Sequence, residues 1–174
     1  MNPVRHSFGE RLVGAARLHV DTYEEVEADA GATPQAALVV VLVSAATAVA
    51  RASSDLRLIL IGITGTLASW LIWSGITYLI GDKLLGGTAT WGELLRTVGF
   101  AQAPGLLFVL AAVPGLSDPV LIAVRLWIFV AVIIAIRQAL DFSTGRAILT
   151  ALFGFVVLLG IALLLRALLV PGTV

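Results

Sequence analysis

The sequence predicts an all-α fold: a polytopic membrane helix bundle of five transmembrane helices, with a short N-terminal amphipathic helix and a central interfacial helix. Three observations carry that reading. Of 174 residues, 59% are hydrophobic and 13% charged, against about 45–50% and about 25% in globular domains, and the mean hydropathy is +1.03. The apolar residues gather into five long runs joined by polar connections. Between the second and third runs lies a polar-to-apolar stretch, Gly86 to Pro104, about which the chain is organised. The expected division is a cytoplasmic amphipathic segment over residues 1–33 and a five-span membrane domain over 34–170, with spans near 34–50, 57–81, 99–117, 119–140 and 146–170.

Each element has a local signal. Ser7 and Glu10 make a capping-box spacing, and Phe8, Leu12, Val13, Ala16 and Val20 follow at helical intervals with Glu10, Arg17 and Asp21 opposite. This predicts an amphipathic helix over 8–20 lying along the membrane. Thr22 and Glu25 repeat the spacing, predicting a second short helix from Tyr23 to Asp29. Its carboxylates at Glu24, Glu25, Glu27 and Asp29 read as a solvated acidic face; a metal site is the minority alternative, because no His accompanies them, and His6 and His19 lack ligand company. The apolar runs start too late for a signal peptide.

Thr33-Pro34 opens the first span as a cap followed by a proline whose missing amide costs nothing. The second run carries Gly62, Gly65, Ser69 and Ser74, small residues that let membrane helices approach, and Tyr78 suits the interfacial belt. In the loop, Thr90 and Glu93 form another capping box. The helix they start sets Trp91, Leu94, Leu95 and Val98 against Glu93, Arg96 and Thr97, a pattern for a helix in the headgroup plane, with an ordinary cytoplasmic loop as the competing reading. The third run holds Pro104 and Pro114, so its helix should be kinked or incomplete. Backbone freed at that depth must be buried or wetted, which marks Gln102 and Pro104 as an interior polar spot. Asp118-Pro119 opens the fourth run. Its Ala131, Ala135 and Ala139 form a small-residue stripe for a helix contact within one chain or in a homo-oligomer. Asp141 to Gly145 is a turn, and the fifth run closes at Pro171-Gly172.

Flanking charge favours a cytoplasmic N-terminus. Arg17, Lys83, Arg96, Arg137 and Arg146 then lie inside, with Arg51, Arg57 and Arg166 outside. The expected placement is a multi-pass protein of the cell membrane with its C-terminus outside. The alternative makes residues 100–116 re-entrant and returns the C-terminus to the cytoplasm.

Composition narrows function. Eleven basic and 11 acidic residues leave a formal net charge of 0, so nothing points to nucleic acid as a partner. The absence of Cys excludes disulfides and thiolate metal sites. Lys83 is the sole lysine among many Arg, and Ala is abundant, a bias that fits a GC-rich prokaryotic genome. Arg125 is the one basic residue well inside an apolar run. It reads either as an anchor that snorkels or pairs with Asp118 or Asp55, or as a substrate contact. No carboxylate sits mid-span, and no phosphate loop, His-Glu zinc motif or nucleophile elbow occurs. No catalytic residue, cofactor or metal is expected, and the chain does not read as an enzyme.

Four ordered stretches resemble the Yip (Ypt-interacting protein) family in its short prokaryotic form. Tyr23 to Asp29 precedes Gln35 to Val40. Gly86-Gly87 through Arg96 is similar to the family's central loop. Gly99-Phe100-Ala101-Gln102-Ala103-Pro104 resembles its Gly-Tyr-x-x-x-Pro element, with Phe100 in the Tyr place. Arg137 to Ala147 is similar to the segment between its last two spans. The resemblance implies a five-span α-helical domain with a cytoplasmic N-terminus. In eukaryotes the family acts in vesicle traffic and binds Rab-type GTPases, but the Asp-Leu-Tyr-Gly-Pro element before the first span is absent here, so GTPase binding is not carried over. The first expected function is a non-enzymatic protein that organises membrane or binds a membrane or cytosolic protein, with Leu12, Trp91 and Leu94 as interfacial residues. The second is a small transporter or lipid-handling protein, with Gly99, Phe100, Gln102, Pro104 and Arg125 as functional residues.

Overall fold

Two helix starts follow the capping chemistry that the sequence advertises, at Ser7 and Thr90, whereas Thr22, Thr33 and Asp118 fall inside their helices and do not cap them. In the computed structural model, which describes residues 6–169 with side chains through Ile161 and at Leu163, α1 (Phe8–Ala16) opens on Ser7. The Ser7 amide donates to the Glu10 carboxylate at 2.7 Å while the Ser7 hydroxyl accepts from the Glu10 amide. Thr90 and Glu93 open α5 (Trp91–Phe100) in the same way. Asp55 accepts from the Arg57 and Leu58 amides to start α4 (Leu56–Tyr78), which runs on into a π-helical turn at Leu79–Leu84. Pro34 lies in the first turn of α3 (Thr33–Ala50), as expected, although Thr33 is itself helical and does not cap it. α6 spans Ser117–Ala139 and α7 spans Thr144–Leu169. The expected end of the last span at Val170, its stop at Pro171-Gly172 and the Arg166 side chain lie outside the described residues.

The first two helices divide at a point other than the spacing predicts. α1 ends at Ala16 rather than near residue 20, and α2 (Val20–Ala28) starts after His19 rather than at Thr22. Leu18 takes φ +64°, its amide donating to the Ala15 carbonyl while the His19 amide donates to that of Gly14. This is a Schellman closure, and glycine usually holds its left-handed position. The same closure ends α3 at Ala52 (φ +50°) and α6 at Asp141 (φ +53°). A side chain in this region costs about 1–2 kcal/mol.

Among the described residues, five helical stretches are long and apolar enough to cross a membrane: Ala30–Ala50, Leu56–Leu84, Trp91–Ala112, Ser117–Ala139 and Thr144–Ile161. The third differs from expectation. It begins at Trp91, so the helix read as lying in the headgroup plane is its first half. The reason is that both faces of α5 are covered. Leu94, Leu95 and Val98 are buried, and so are Arg96, Thr97 and Phe100 on the remaining sides. Pro104 acts as foreseen: α5 ends at Phe100 and the crossing continues as a 3-10 helix, Ala103–Ala112.

Burial is concentrated at one end of the bundle. It takes the first half of α3, the second halves of α4 and α6, the start of α7 and α5 from Leu94 onward. Ala131, Ala135 and Ala139 are fully buried there, so this stripe serves packing within the chain and is closed to a homo-oligomeric contact. Toward the other end the side chains face outward and are apolar, among them Leu58, Leu60, Leu110, Ile122, Val156 and Leu159.

The N-terminal hairpin belongs to the packed end. α1 meets the third crossing, and α2 meets α5 and α6. Trp127 Nε1 donates to the Ala16 carbonyl at 2.8 Å, and Gln138 Nε2 donates to Glu24 at 2.9 Å. Between Trp127 and Gln138, α6 advances roughly 16 Å. The hairpin therefore stands alongside α6 from its middle to its end. Ala52 is solvent-exposed, so the Ala52→Gly variant should raise the melting temperature in detergent by roughly 2 °C, through relief of left-handed strain alone. A fall would place the α3 stop elsewhere.

Candidate functional site

Two polar constructions stand out, one buried and one opening outward at the exposed Arg125. The first is a clamp. Arg11, on α1, is 2% exposed; its guanidinium donates to Glu25 and Asp29 at 2.8 Å each and to the Gln35 side chain at 3.1 Å. It ties α1, α2 and α3 together. Arg96, on α5, donates through Nε to the Val26 carbonyl at 2.9 Å, and through Nε and Nη2 to that of Glu27. These are end carbonyls of α2, which have no intrahelical partner and lie at the negative end of its dipole. The carboxylates of α2 thus diverge instead of forming one solvated face or one metal site. Glu25 and Asp29 turn to Arg11, Glu24 turns to Gln138, and Glu27 turns toward Glu93 and Asp141.

The second is a cavity of about 400 Å³ at mid-bundle, walled by α3, α4, α5, α6 and α7. Its surface is mostly apolar, with Trp70, Trp73, Phe129 and Phe155 the largest contributors, and the polar groups reaching it are those of Thr66, Ser69, Gln102 and Arg125. Two candidates from opposite sides of the sequence gap, Gln102 and Arg125, therefore share one chamber. Among the described residues Arg125 makes no ion pair, with Asp118, Asp55 or any other carboxylate. Phe129 and Phe155 are about half exposed, at 46% and 57%, so they form its rim.

The Gly99–Pro104 element distributes its residues over different jobs. A Cβ on Gly99 would stand 2.7 Å from that of Ala36, so glycine is what lets the third crossing press onto α3. Gly105, which the sequence did not single out, does the same against Val43 at 2.6 Å. Phe100 is fully buried and meets the Phe8 ring edge-on, centroids 6.3 Å apart. Gln102 reaches the cavity, whereas Pro104 is buried where the 3-10 helix starts. The interfacial candidates separate as well. Leu94 is fully buried in protein, Leu12 is half-buried against the core, and Trp91 is 47% exposed beside Gly75. The clamp was not legible because Arg96 sits on the polar face of an amphipathic helix and Arg11 in a polar N-terminal segment, where a solvated charge is the ordinary reading.

Glu27 has an unusual setting. Burial, and then the carboxylates of Glu93, Asp141 and Glu24, push it up from 4.5 to about 7, and Arg96 offsets this in part. The folded protein therefore binds a proton here more tightly than the unfolded chain. The resulting stability is complete below about pH 4.5 and is lost as pH rises through 7. Glu27→Gln should raise the melting temperature at pH 8 by roughly 2–4 °C, an effect discounted for partial exposure, and should leave it unchanged near pH 4.5. An equal gain at both values would contradict the assignment.

These features can be set beside known proteins. No curated protein and no solved structure matches the chain. The Yip1 domain does, over residues 21–165. That range begins in α2, so it takes in the helix held by Arg96, all five candidate spans and the whole cavity lining. The chain is a multi-pass helical membrane protein, and it belongs to the Yip1 domain family.

Proposed function

We propose that this protein acts without catalysis, as a short prokaryotic member of its family that organises the cell membrane by deforming it locally. The N-terminal hairpin is on the cytoplasmic side in this reading, as the flanking charges favour. The observation that carries it is the depth of the hairpin. Trp127, near the middle of α6, holds the end of α1, so the outward polar residues Arg17, His19 and Asp21 stand beside a helix that is otherwise membrane-spanning. On the opposite side, α4 and α7 expose apolar residues along most of their lengths, from Leu58 to Leu79 and from Leu149 to Leu163. A bilayer meeting both surfaces must thin or tilt beside α6 while keeping full thickness beside α7.

A second reading, lipid handling, is favoured by the chamber that Gln102 and Arg125 share. It accommodates the same fold without requiring the bilayer to bend.

Electron microscopy of vesicles reconstituted with the full chain tests the first reading. Vesicles should become distinctly smaller or tubular as protein is added. The double variant Arg17→Leu with Asp21→Leu, which makes the hairpin surface compatible with hydrocarbon, should do this far less. Wild-type vesicles with the diameter of protein-free ones would overturn it.

A further inference from the structure

We propose that the mid-bundle cavity binds one single-chain anionic amphiphile, its carboxylate or phosphate on Arg125 and Gln102 and its acyl chain against Trp70, Trp73, Phe129 and Phe155. This deepens the lipid-handling reading and rests on it.

Arg125 lies eight positions past the start of α6, about 12 Å along the helix. A guanidinium at such depth is costly unless it reaches water, an anion or an acceptor carbonyl. Its side chain lines the cavity with Ile128 and Val132, which lie deeper along the same helix. Among the described residues nothing in the protein neutralises it. An arginine is suited to bidentate contact with a carboxylate or phosphate.

The opposite wall supplies the complement. Gln102 stands where the α-helix has ended and the 3-10 helix has not begun, with its backbone amide bonded to Gly99 and its carbonyl to Gly105. Its carboxamide makes no side-chain hydrogen bond among the described residues and has both a donor and an acceptor to offer a head group. Thr66, by contrast, spends its hydroxyl on the Gly62 carbonyl at 2.8 Å.

Size selects the ligand class. About 400 Å³ is toward the low end of small-molecule sites, which run about 300–1,000 Å³. It takes one acyl chain and leaves no room for the second chain of a phospholipid. The aromatic rim at Phe129 and Phe155 faces outward, where lipid would reach it, so the ligand enters sideways from the bilayer without crossing water.

Native mass spectrometry of the full chain in detergent, with oleate, phosphatidylglycerol or phosphatidylcholine added, tests this. The expected result is one saturable oleate adduct on the wild type, with neither diacyl lipid competing. Arg125→Gln should weaken oleate binding roughly tenfold, Gln102→Leu should weaken it less, and Arg125→Lys should retain most of it. Arg57→Gln, at the start of α4, should change nothing. Melting temperatures of all variants guard against misfolding. Equal oleate binding by wild type and Arg125→Gln overturns the head-group assignment while leaving a lipid-handling cavity in place. Competition by phosphatidylglycerol overturns the single-chain assignment. No saturable adduct with any of the three overturns both this proposal and the reading it rests on.

Discussion

A guanidinium buried at the start of the third crossing must find acceptors within the protein, and Arg96 finds them on the end of α2. That single requirement explains why an N-terminal hairpin with exposed polar faces is built into a membrane bundle. The Val26 and Glu27 carbonyls would otherwise be unsatisfied at the end of their helix, and Arg96 would otherwise be an uncompensated charge 8% exposed. Each repairs the other. Arg11 repeats the logic one layer out, drawing Glu25 and Asp29 inward and reaching Gln35 on α3. Removing one partner from either set leaves buried polar groups with no substitute, which makes the packed end cooperative rather than modular.

The five-run architecture was legible because hydrocarbon length and continuous apolarity leave few alternatives. Capping boxes at Ser7 and Thr90 and the broken helix at Pro104 were legible too, each resting on side-chain chemistry local in sequence. Two kinds of feature were not. The stop at Leu18 was one, since leucine gives no sign of a left-handed backbone; α3 and α6 end where their apolar runs do, and Asp141 tolerates that conformation. The destination of α5 depended on contacts across long sequence gaps. A helix with one apolar face looks interfacial until another helix covers its polar face, and α2 covers it through an arginine that reads as solvated from the sequence alone. For the cavity, Gln102 and Arg125 were each visible as anomalies of polarity, but only the fold places them on one chamber.

The two ends of the molecule answer different physical demands. At the packed end, small residues allow close helix contact: Gly99 on Ala36, Gly105 on Val43, and the alanines of α6. Indole nitrogens of Trp70 and Trp127 bond carbonyls of neighbouring elements and fix their register. At the other end, apolar side chains face outward and depend on lipid for their solvent. The cavity lies where these regimes meet, and so do Arg125, which makes no ion pair among the described residues, and the deepest reach of the polar hairpin. The proposed membrane deformation and the proposed amphiphile binding both draw on that boundary, since each rests on polar groups held by the fold at a depth the bilayer would not choose.

Hydrogen exchange in nanodiscs tests the central claim, that the hairpin is an integral part of the bundle. Amides of α2 beyond its first turn, which take helical partners whether or not the hairpin is docked, should be protected to the same degree as those of α5 and should exchange together with them on global unfolding. A free interfacial helix would lose protection orders of magnitude sooner. If α2 exchanges rapidly while α5 remains protected, Arg96 does not hold the hairpin, and the account of the packed end fails.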